Sequence, residues 1–245
     1  MSRQKVHLSG DMTEITKRLH WKNIAGLIDH SLLRPDATHG DIGRLCEEAR
    51  KFGFHSVCVH PYFIKKAKEL LRGSMVKVTT VIGFPLGLTL TEVKVYEAMH
   101  ASILGADELD IVINIGAVKS GDWNTVRKDI SDVIMATKGL IHKTIIETCY
   151  LDDSEKRRVV EIALDAGSEF IKTSTGFGPR GARVKDIRLI KNIVKDSAGI
   201  KASGGIRTFR RVLEVLEAGA TRIGTSAGVR IIRNLKKERS SVVIL

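Results

Sequence analysis

Eight short apolar runs alternate with longer helical segments along this sequence, and this alternation most limits how the chain can fold. Successive runs begin about 20–35 residues apart, which is typical of parallel βαβ units. Runs such as Ile-Val-Ile at 111–113 are continuous rather than alternating, as expected for strands buried on both faces. The predicted strands are residues 27–29, 56–59, 77–82, 108–113, 143–147, 170–173, 200–202 and 222–224.

A helix is predicted after each strand, and three of these helices end in a related glycine turn. Gly105, Gly167 and Gly219 each stand where a left-handed helix C-cap is expected. The recurring turn favours an α/β fold with a closed (β/α)8 TIM barrel over a doubly wound open sheet, which usually has five or six strands. The predicted helices are residues 41–52, 62–71, 90–104, 123–137, 154–166, 185–195, 209–218 and 227–235.

The length of 245 residues suits one such barrel. No linker, low-complexity stretch or second hydrophobic pattern interrupts the alternation. We therefore expect a single domain over residues 1–245, in which residues 1–24 form a short N-terminal helical extension.

Charge and cysteine content restrict the partners. The formal net charge is +12, and its one local concentration is at 230–239, where five Lys and Arg residues oppose only Glu238. This stretch has no aromatic residue for base stacking, so we expect a basic helix face and no nucleic-acid partner. No apolar run approaches the length of a membrane span, so no membrane partner is expected.

Three cysteines without CxxC spacing, and an N-terminus without an apolar signal segment, predict a cytoplasmic protein.

Two lysines lie inside predicted strands, Lys172 in the sixth and Lys201 in the seventh. In such barrels, catalytic groups lie at the carboxyl ends of the strands. Two unit charges about 4 Å apart at an effective dielectric constant near 20 repel by about 4 kcal/mol, equivalent to about three pKa units. We therefore expect one lysine to be neutral near pH 7, as attack on a carbonyl requires. The alternative is that one lysine points to solvent or pairs with a carboxylate.

Two aspartates and a cysteine complete the polar set at the strand ends. Asp110 lies in the fourth strand, with Glu108 on the same side by strand alternation. A buried carboxylate near a charged lysine stays ionised and can hold a water for proton transfer. Asp29 either extends this relay or serves only as a loop or cap residue. Cys58 either lines the pocket or is a small buried apolar residue.

Loops rich in glycine and hydroxyl groups follow the sixth, seventh and eighth strands. Barrels often bind phosphate with the loops after strands seven and eight and the N-terminus of a short helix. Glycine lets backbone N–H groups approach the anion, and serine adds a hydroxyl. The predicted substrate- and phosphate-binding residues are Thr175, Gly176, Gly204, Gly205, Gly224 and Ser226.

A GxGxxG pattern at Gly176, Gly178 and Gly181 is a weak indication of dinucleotide binding. Pro179 removes an N–H group where a pyrophosphate would bind, and the next helix begins only near residue 184. The eight histidines show no metal-binding spacing. We therefore expect no metal and no organic cofactor.

These motifs, taken together, resemble the deoxyribose-phosphate aldolases, a family of class I aldolases. The resemblance runs from about residue 24 to about residue 230, with the motifs in the family's order. They are IDHSLL (28–33), VCVHP (57–61), VTTVIGFPLG (78–87), GADELDIVINIG (105–116), IIET (145–148), FIKTSTGFG (170–178), KASGGIRT (201–208) and RIGTSAG (222–228).

The resemblance implies reversible condensation of acetaldehyde with D-glyceraldehyde 3-phosphate to 2-deoxy-D-ribose 5-phosphate, without a cofactor. It assigns the Schiff base to Lys172, electrostatic release of that lysine's proton to Lys201, and proton transfer through a bound water to Asp110. It further implies that Asp29 supports the lysines, that Cys58 borders the pocket, and that the glycine loops and Ser226 hold the phosphate. A small phosphorylated sugar is then the substrate, and a homo-oligomer, either a dimer or a tetramer, is the expected assembly.

Two departures from the family pattern are present. Phe177 stands where some relatives carry a lysine, and the chain ends in SSVVIL where some end in a tyrosine. Two other hypotheses remain at this point. One is a different phosphate-binding Schiff-base enzyme, such as another lyase or a transaldolase-like enzyme. The other is a basic, non-catalytic protein that binds nucleic acid or another polyanion.

Overall fold

Eight parallel strands close into a barrel in sequence order, and the last strand pairs with the first. The computed structural model describes residues 20–242, with side chains as far as residue 237. Closure confirms the predicted (β/α)8 barrel and excludes the open doubly wound sheet. The strands are β1 (Ile28–Leu32), β2 (Ser56–Val59), β3 (Lys77–Ile82), β4 (Glu108–Val112), β5 (Ile141–Ile145), β6 (Phe170–Lys172), β7 (Gly199–Ser203) and β8 (Arg222–Thr225).

Helices surround the barrel, and two begin at a capping box. Thr38 forms one with Asp41, and Asp152 forms one with Glu155. Each box satisfies backbone N–H groups that the first helical turn leaves unpaired. The helices are α1 (Trp21–Ala25), α2 (His39–Phe52), α3 (Ile64–Leu70), α4 (Thr91–Ile103), α5 (Ile115–Lys119), α6 (Trp123–Ala136), α7 (Asp153–Asp165), α8 (Val184–Val194), α9 (Phe209–Glu217) and α10 (Gly228–Val242), with 3-10 turns at Pro61–Phe63 and Thr148–Tyr150.

Strand alternation separates apolar side chains from charged ones. Leu109 and Ile111 of β4 lie in the main hydrophobic core beneath the helices. Glu108 and Asp110, which alternate with them, point into the barrel and pair with cations there. The hydrophobic core is therefore the layer between strands and helices, and the barrel interior is left for charged groups.

The three predicted glycine turns are confirmed. Gly105, Gly167 and Gly219 have φ angles of 97°, 98° and 113°. Glycine adopts this left-handed region without steric cost, so each turn leads the chain from a helix directly into the next strand.

Some predicted boundaries are wrong. The fifth strand is Ile141–Ile145 rather than 143–147, because Glu147 has a left-handed backbone (φ 45°) that ends the extended run. The short helix α5 was not predicted, and α10 extends to Val242 rather than to residue 235. Of the predicted N-terminal extension, Trp21–Ala25 is helical, whereas residues 1–19 lie outside the described part of the chain, as do residues 243–245.

The basic C-terminal helix packs on the barrel. Nζ of Lys236 lies 3.7 Å from the ring centroid of Trp21 and 5.5 Å from that of Phe52. Such cation–π contacts stabilise the packing of α10 against α1 and α2. Arg239 lies beyond the described side chains. Among the helices that the structure describes, none is long and apolar enough to cross a membrane.

Candidate active site

A buried network of charges lies inside the barrel, with Asp110 at its centre and Lys172 at the carboxyl end of β6. Oδ2 of Asp110 accepts hydrogen bonds from Nζ of Lys172 at 2.8 Å and from Nζ of Lys201 at 2.6 Å. Oδ1 accepts a third, from Nζ of Lys143 at 2.8 Å. The two lysines that the sequence predicts to face one another are therefore joined by a carboxylate, which offsets their mutual repulsion.

Strand register explains why these groups meet. Lys172 is directly opposite Lys201 across the β6–β7 ladder, and Asp110 is opposite Lys143 across the β4–β5 ladder. Sequence reasoning missed Lys143, because placing β5 two residues too late made this lysine the first residue of its strand. Its position before a continuous β-branched run, Thr-Ile-Ile at 144–146, was the signal that could have identified it.

A second layer of ion pairs lies next to these lysines. Lys201 binds Oδ2 of Asp29 at 2.5 Å, and Lys143 binds Oε2 of Glu108 at 2.7 Å. Arg222 bridges the same two carboxylates, at 3.0 Å from Asp29 and 3.2 Å from Glu108. Asp29 is thus a member of the network rather than a loop residue. Arg222 was not predicted, although an arginine in a short apolar strand was a visible signal.

The carboxylates of this network are ionised. Burial alone would raise the pKa of Asp110, but the ammonium groups of Lys143, Lys172 and Lys201 outweigh it and hold the pKa well below the usual range. Burial likewise opposes the ionisation of Asp29, and Lys201 and Arg222 outweigh it and lower its pKa. Lys143 and His55 do the same for Glu108.

Lys201 is held as a cation. Burial alone would lower its pKa, but Asp110 and Asp29 outweigh the desolvation and raise it above the ordinary value of a lysine. Removing the proton from Lys201 would leave two buried carboxylates without their partner. Lys201 therefore supplies a permanent positive charge beside Lys172.

Charge balance distinguishes Lys172 from its neighbours. The network holds four cationic side chains (Lys143, Lys172, Lys201, Arg222) against three carboxylates (Asp29, Glu108, Asp110), so one proton is in excess. Within the described residues, Lys172 pairs with one carboxylate, whereas Lys143 and Lys201 each pair with two. Lys172 is therefore the lysine of this network with the fewest ion pairs.

Asp29, His55 and Glu108 offer one ligand atom each within 4.8 Å of one another, which is close enough for a metal ion. The guanidinium of Arg222 already binds the carboxylates of Asp29 and Glu108, and Nε2 of His55 lies 2.8 Å from Oε1 of Glu108. The charge that a metal would bring is therefore supplied by the protein itself. These three side chains therefore serve the ion-pair network.

Cys58 borders the network from the apolar side. Its Sγ lies 4.0 Å from Oδ2 of Asp110, and the side chain is fully buried. Burial raises the pKa of the thiol, so the neutral form prevails. With Leu33 and Val81 it forms a small apolar cluster separate from the main core.

The predicted phosphate loops meet beside the barrel mouth. Gly204 and Gly205 have φ angles of 85° and 75°, and a Cβ on Gly204 would lie 2.8 Å from Cα of Gly181 and 3.5 Å from Cα of Gly176. The close approach of the two loops therefore requires glycine. A cavity of about 500 Å³ opens beside them; it is lined by Arg180, Gly181, Ala182, Arg183, Gly204, Gly205 and Arg211.

The other predicted loop residues have different surroundings. Gly224 lies within β8, where a Cβ would come 2.2 Å from Oγ of Ser203 and 3.0 Å from Cε of Lys201, so its missing side chain makes room for the lysine. Ser226 is exposed, two residues before α10 begins. The backbone N–H of Thr175 donates to Oε2 of Glu147 at 3.1 Å, and its hydroxyl bonds the same oxygen. Sequence reasoning did not select Glu147.

The chain matches the model of the DeoC/LacD family aldolases over residues 24–235. A deoxyribose-phosphate aldolase of Carboxydothermus hydrogenoformans is 54% identical over 216 residues, which cover 86% of this chain and 95% of the relative. One of Thermococcus gammatolerans is 54% identical over 218 residues, which cover 87% of this chain and 97% of the relative.

Solved structures agree with these sequence matches. The tetrameric deoxyribose phosphate aldolase of Aeropyrum pernix superposes with a TM-score of 0.84 at 32% identity, covering 91% of this chain and 95% of that one. An aldolase named QR15 superposes with a TM-score of 0.84 at 42% identity, covering 88% and 97%.

The free energy of unfolding should fall as the pH drops below about 4, where carboxylates of the unfolded chain take up protons. Stability falls toward acidic pH because the pKa values of Asp29, Glu108 and Asp110 are lowered in the folded state. At a pH where these carboxylates are still ionised in the folded barrel, the unfolded chain already binds protons, and this favours unfolding. The free energy of unfolding in urea should be lower at pH 3 than at pH 7 by about 2 kcal/mol or more.

Glu108→Gln should lower the free energy of unfolding by about 3 kcal/mol at pH 7 and weaken this pH dependence, because it leaves Lys143 and Arg222 with fewer ion pairs.

The matched control is Asp165→Asn, which removes an exposed ion pair with Arg127. It should change the free energy of unfolding by less than about 1 kcal/mol and leave the pH dependence unchanged. Equal effects of the two variants would contradict the ionised network.

Proposed function

The chain belongs to the DeoC/LacD family of aldolases, and we propose that it reversibly cleaves 2-deoxy-D-ribose 5-phosphate to acetaldehyde and D-glyceraldehyde 3-phosphate through a Schiff base on Lys172. The observation that carries the mechanism is the buried Lys172–Asp110–Lys201 arrangement at the carboxyl end of the barrel. A neutral amine beside a fixed cation and an ionised carboxylate is what imine chemistry requires.

Lys172 is the proposed nucleophile. Its amine attacks the C1 aldehyde of the open-chain sugar phosphate, and loss of water gives a protonated imine. Lys201 favours the neutral amine beforehand, because its positive charge repels a second one within about 5 Å by about 3 kcal/mol at an effective dielectric constant near 20. Asp110 holds both nitrogens through one oxygen, at 2.8 and 2.6 Å.

Cleavage then breaks the C2–C3 bond of the sugar. The C3 hydroxyl loses its proton, the electron pair of the bond moves into the imine to form an enamine, and C3 leaves as the aldehyde of glyceraldehyde 3-phosphate. Protonation of C2 and hydrolysis of the imine release acetaldehyde and free Lys172. The protonated imine is itself the electron sink, so the proposal uses no metal or organic cofactor.

Asp110 is the proposed proton carrier, acting through a water as the sequence predicts, and Asp29 is proposed to keep Lys201 charged. Cys58 is proposed to border the bound aldehyde.

For the phosphate we propose backbone N–H groups of Gly176, Gly204 and Gly205, with the hydroxyl of Ser226. Thr175 is proposed to act on the substrate through loop geometry, since it is bound to Glu147. Gly224 is proposed to act by leaving space, since a side chain there would meet Ser203 and Lys201.

The partner is thus a small phosphorylated sugar, and we propose neither a nucleic-acid nor a membrane partner. Lys236, within the basic C-terminal stretch, is engaged with Trp21 and Phe52, which supports a structural role for that residue. We also propose a reducing, cytoplasmic location for this single-domain enzyme; the thiols of Cys46, Cys58 and Cys149 are free.

Borohydride trapping tests the imine. Incubation with 2-deoxyribose 5-phosphate, reduction and peptide mapping should place the mass adduct on Lys172. Lys172→Arg should lose the adduct and at least about a thousandfold of kcat, because an arginine cannot form the imine. Lys185→Arg, at an exposed lysine, is the matched control and should keep both. An adduct on another residue, or turnover by Lys172→Arg, would refute the assignment of the Schiff base to Lys172. Nucleic-acid binding that is retained in Lys172→Arg would favour the hypothesis of a non-catalytic, polyanion-binding protein.

The pH profile of kcat/KM tests Lys201. In Lys201→Met the fixed charge is gone, so the amine of Lys172 should hold its proton to higher pH. The acidic limb should move up by about two pH units, which is the pKa equivalent of about 3 kcal/mol. Lys143→Met, which removes a charge bound to the other oxygen of Asp110, should move the limb less. An unchanged limb in Lys201→Met, despite measurable turnover, would contradict the electrostatic role.

We further propose that the chain forms a homo-oligomer through the outer face of α4. Tyr96, Met99 and Ile103 of this helix are 65%, 45% and 76% exposed, whereas its inward residues are the small Ala98 and Ala101. The single lysine of α4, Lys94, is buried, so this face avoids the cations of a chain with net charge +12. A two-fold axis would pack this apolar outer face of α4 against the same face of a second copy of the chain.

Light scattering should therefore give the mass of a dimer or tetramer for the native chain. Tyr96→Glu combined with Ile103→Glu should shift it to the monomer, because four charges would be buried in each two-fold contact. Met75→Glu, at a residue 91% exposed elsewhere, should leave the mass unchanged. A native monomer would refute the proposal.

A further inference from the structure

The cavity of about 500 Å³ beside the glycine loops is rich in positive charge. Its lining includes Arg180 and Arg183 from the loop after β6, and Arg211 from the first turn of α9. Among the residues that the structure describes, three arginines and no carboxylate line this space. We call it the arginine cavity. Its size suits a small organic ligand, since pockets for such ligands typically measure about 300–1,000 Å³.

The arginine cavity lies on the helix side of the glycine loops. The N–H of Ala182 donates to the backbone oxygens of Ser203 and Gly204, at 2.9 and 3.2 Å. A Cβ on Gly181 would lie 2.2 Å from the backbone oxygen of Gly204, so the two loops touch directly. None of the three lysines of the charge network lines the cavity. The arginine cavity is therefore a space separate from the groups that the aldolase reaction would use.

Two of the three arginines are held in place by backbone oxygens. Arg211 donates to the oxygen of Ala182 at 2.7 Å, and Arg180 donates to the oxygen of Cys149 at 3.1 Å. Within the described residues, Arg211 pairs with Glu214 at 2.6 Å, whereas the other two arginines pair with no carboxylate. At least two positive charges of the arginine cavity therefore have no counter-charge from the described part of the chain.

The placement of these arginines is unfavourable for the helices that they begin. Arg183 is the N-cap of α8, and Arg211 is the third residue of α9. The N-terminus of a helix carries a partial positive charge, so a cation there is repelled and an anion is attracted. Arg183 also makes no side-chain hydrogen bond to the first turn of α8. An anion in the cavity would therefore neutralise the arginines and stabilise both helix starts.

We propose that the arginine cavity is a second phosphate-binding site, distinct from that of the substrate, and that its ligand is a phosphate monoester. A phosphate monoester carries a charge of about −1.5 to −2 at neutral pH, which matches two arginines without counter-charges. A guanidinium group also binds two phosphate oxygens at once. The cavity is larger than a phosphate ion, so space remains for the organic part of an ester. This inference goes beyond the proposed aldolase function and does not depend on it.

Titration calorimetry in a phosphate-free buffer tests the site, with glycerol 3-phosphate and inorganic phosphate as probes. The native chain should bind glycerol 3-phosphate in the cavity, and Arg183→Gln should weaken this binding by at least about tenfold, the effect of one lost charge-assisted hydrogen bond. Arg180→Gln should have the same effect. Arg188→Gln makes the same charge change at an exposed residue of α8 outside the cavity and should keep the native affinity.

Two calorimetric results would overturn the proposal. Equal binding of glycerol 3-phosphate by the native chain and all three variants would show that the arginine cavity binds no phosphate group. Inorganic phosphate that binds as tightly as glycerol 3-phosphate, and is weakened by the same two substitutions, would assign the cavity to free phosphate and exclude the ester.

Steady-state cleavage of 2-deoxyribose 5-phosphate separates the arginine cavity from the substrate's own phosphate site. The KM of Arg180→Gln and of Arg183→Gln should change by less than about twofold, since solvent screens exposed charges that do not touch the substrate. A rise in KM of about tenfold or more would mean that these arginines bind the substrate's phosphate, and would overturn the second site. A native chain without this cleavage would refute the proposed function alone, because the calorimetric test of the cavity needs no turnover.

Discussion

The carboxylate of Asp110 binds three ammonium groups at once, and the rest of the barrel interior is arranged around it. Each of these charges would cost several kcal/mol to bury alone. Because the two oxygens of Asp110 bind all three ammonium groups, these charges can be buried inside the barrel. Little water reaches this region, so the electrostatic interactions between a lysine and its neighbours are strong there. The network is therefore both a structural element and the source of the chemistry, since it leaves one proton in excess and Lys172 with the fewest partners.

The strands make this possible by sorting their side chains. Along β4, every second residue enters the hydrophobic layer under the helices and the others face the charges inside. Small residues then make space at defined points: without a side chain on Gly224, Lys201 can reach both Asp29 and Asp110. The stability of the fold and the positions of the charges thus depend on the same alternation.

The pocket has two chemically different sides. The lysines of β6 and β7 face it from one side, and Leu33, Cys58 and Val81 face it from the other. Glu147, which has a left-handed backbone just after the end of β5, accepts a hydrogen bond from Thr175 in the loop after β6.

The sequence by itself determined the barrel, since eight short apolar runs and three glycine turns report local backbone preference and burial. It also marked Lys172, Lys201, Asp110 and Asp29, because charged residues in or beside buried strands are conspicuous. Only the tertiary structure decided that Asp110 lies between the two lysines, that Lys143, Arg222 and His55 join them, and that Phe84 meets Phe177. These contacts depend on barrel closure and strand register, where a two-residue error in β5 is enough to hide a lysine. Such pairings join residues far apart in the chain, and no local propensity records them.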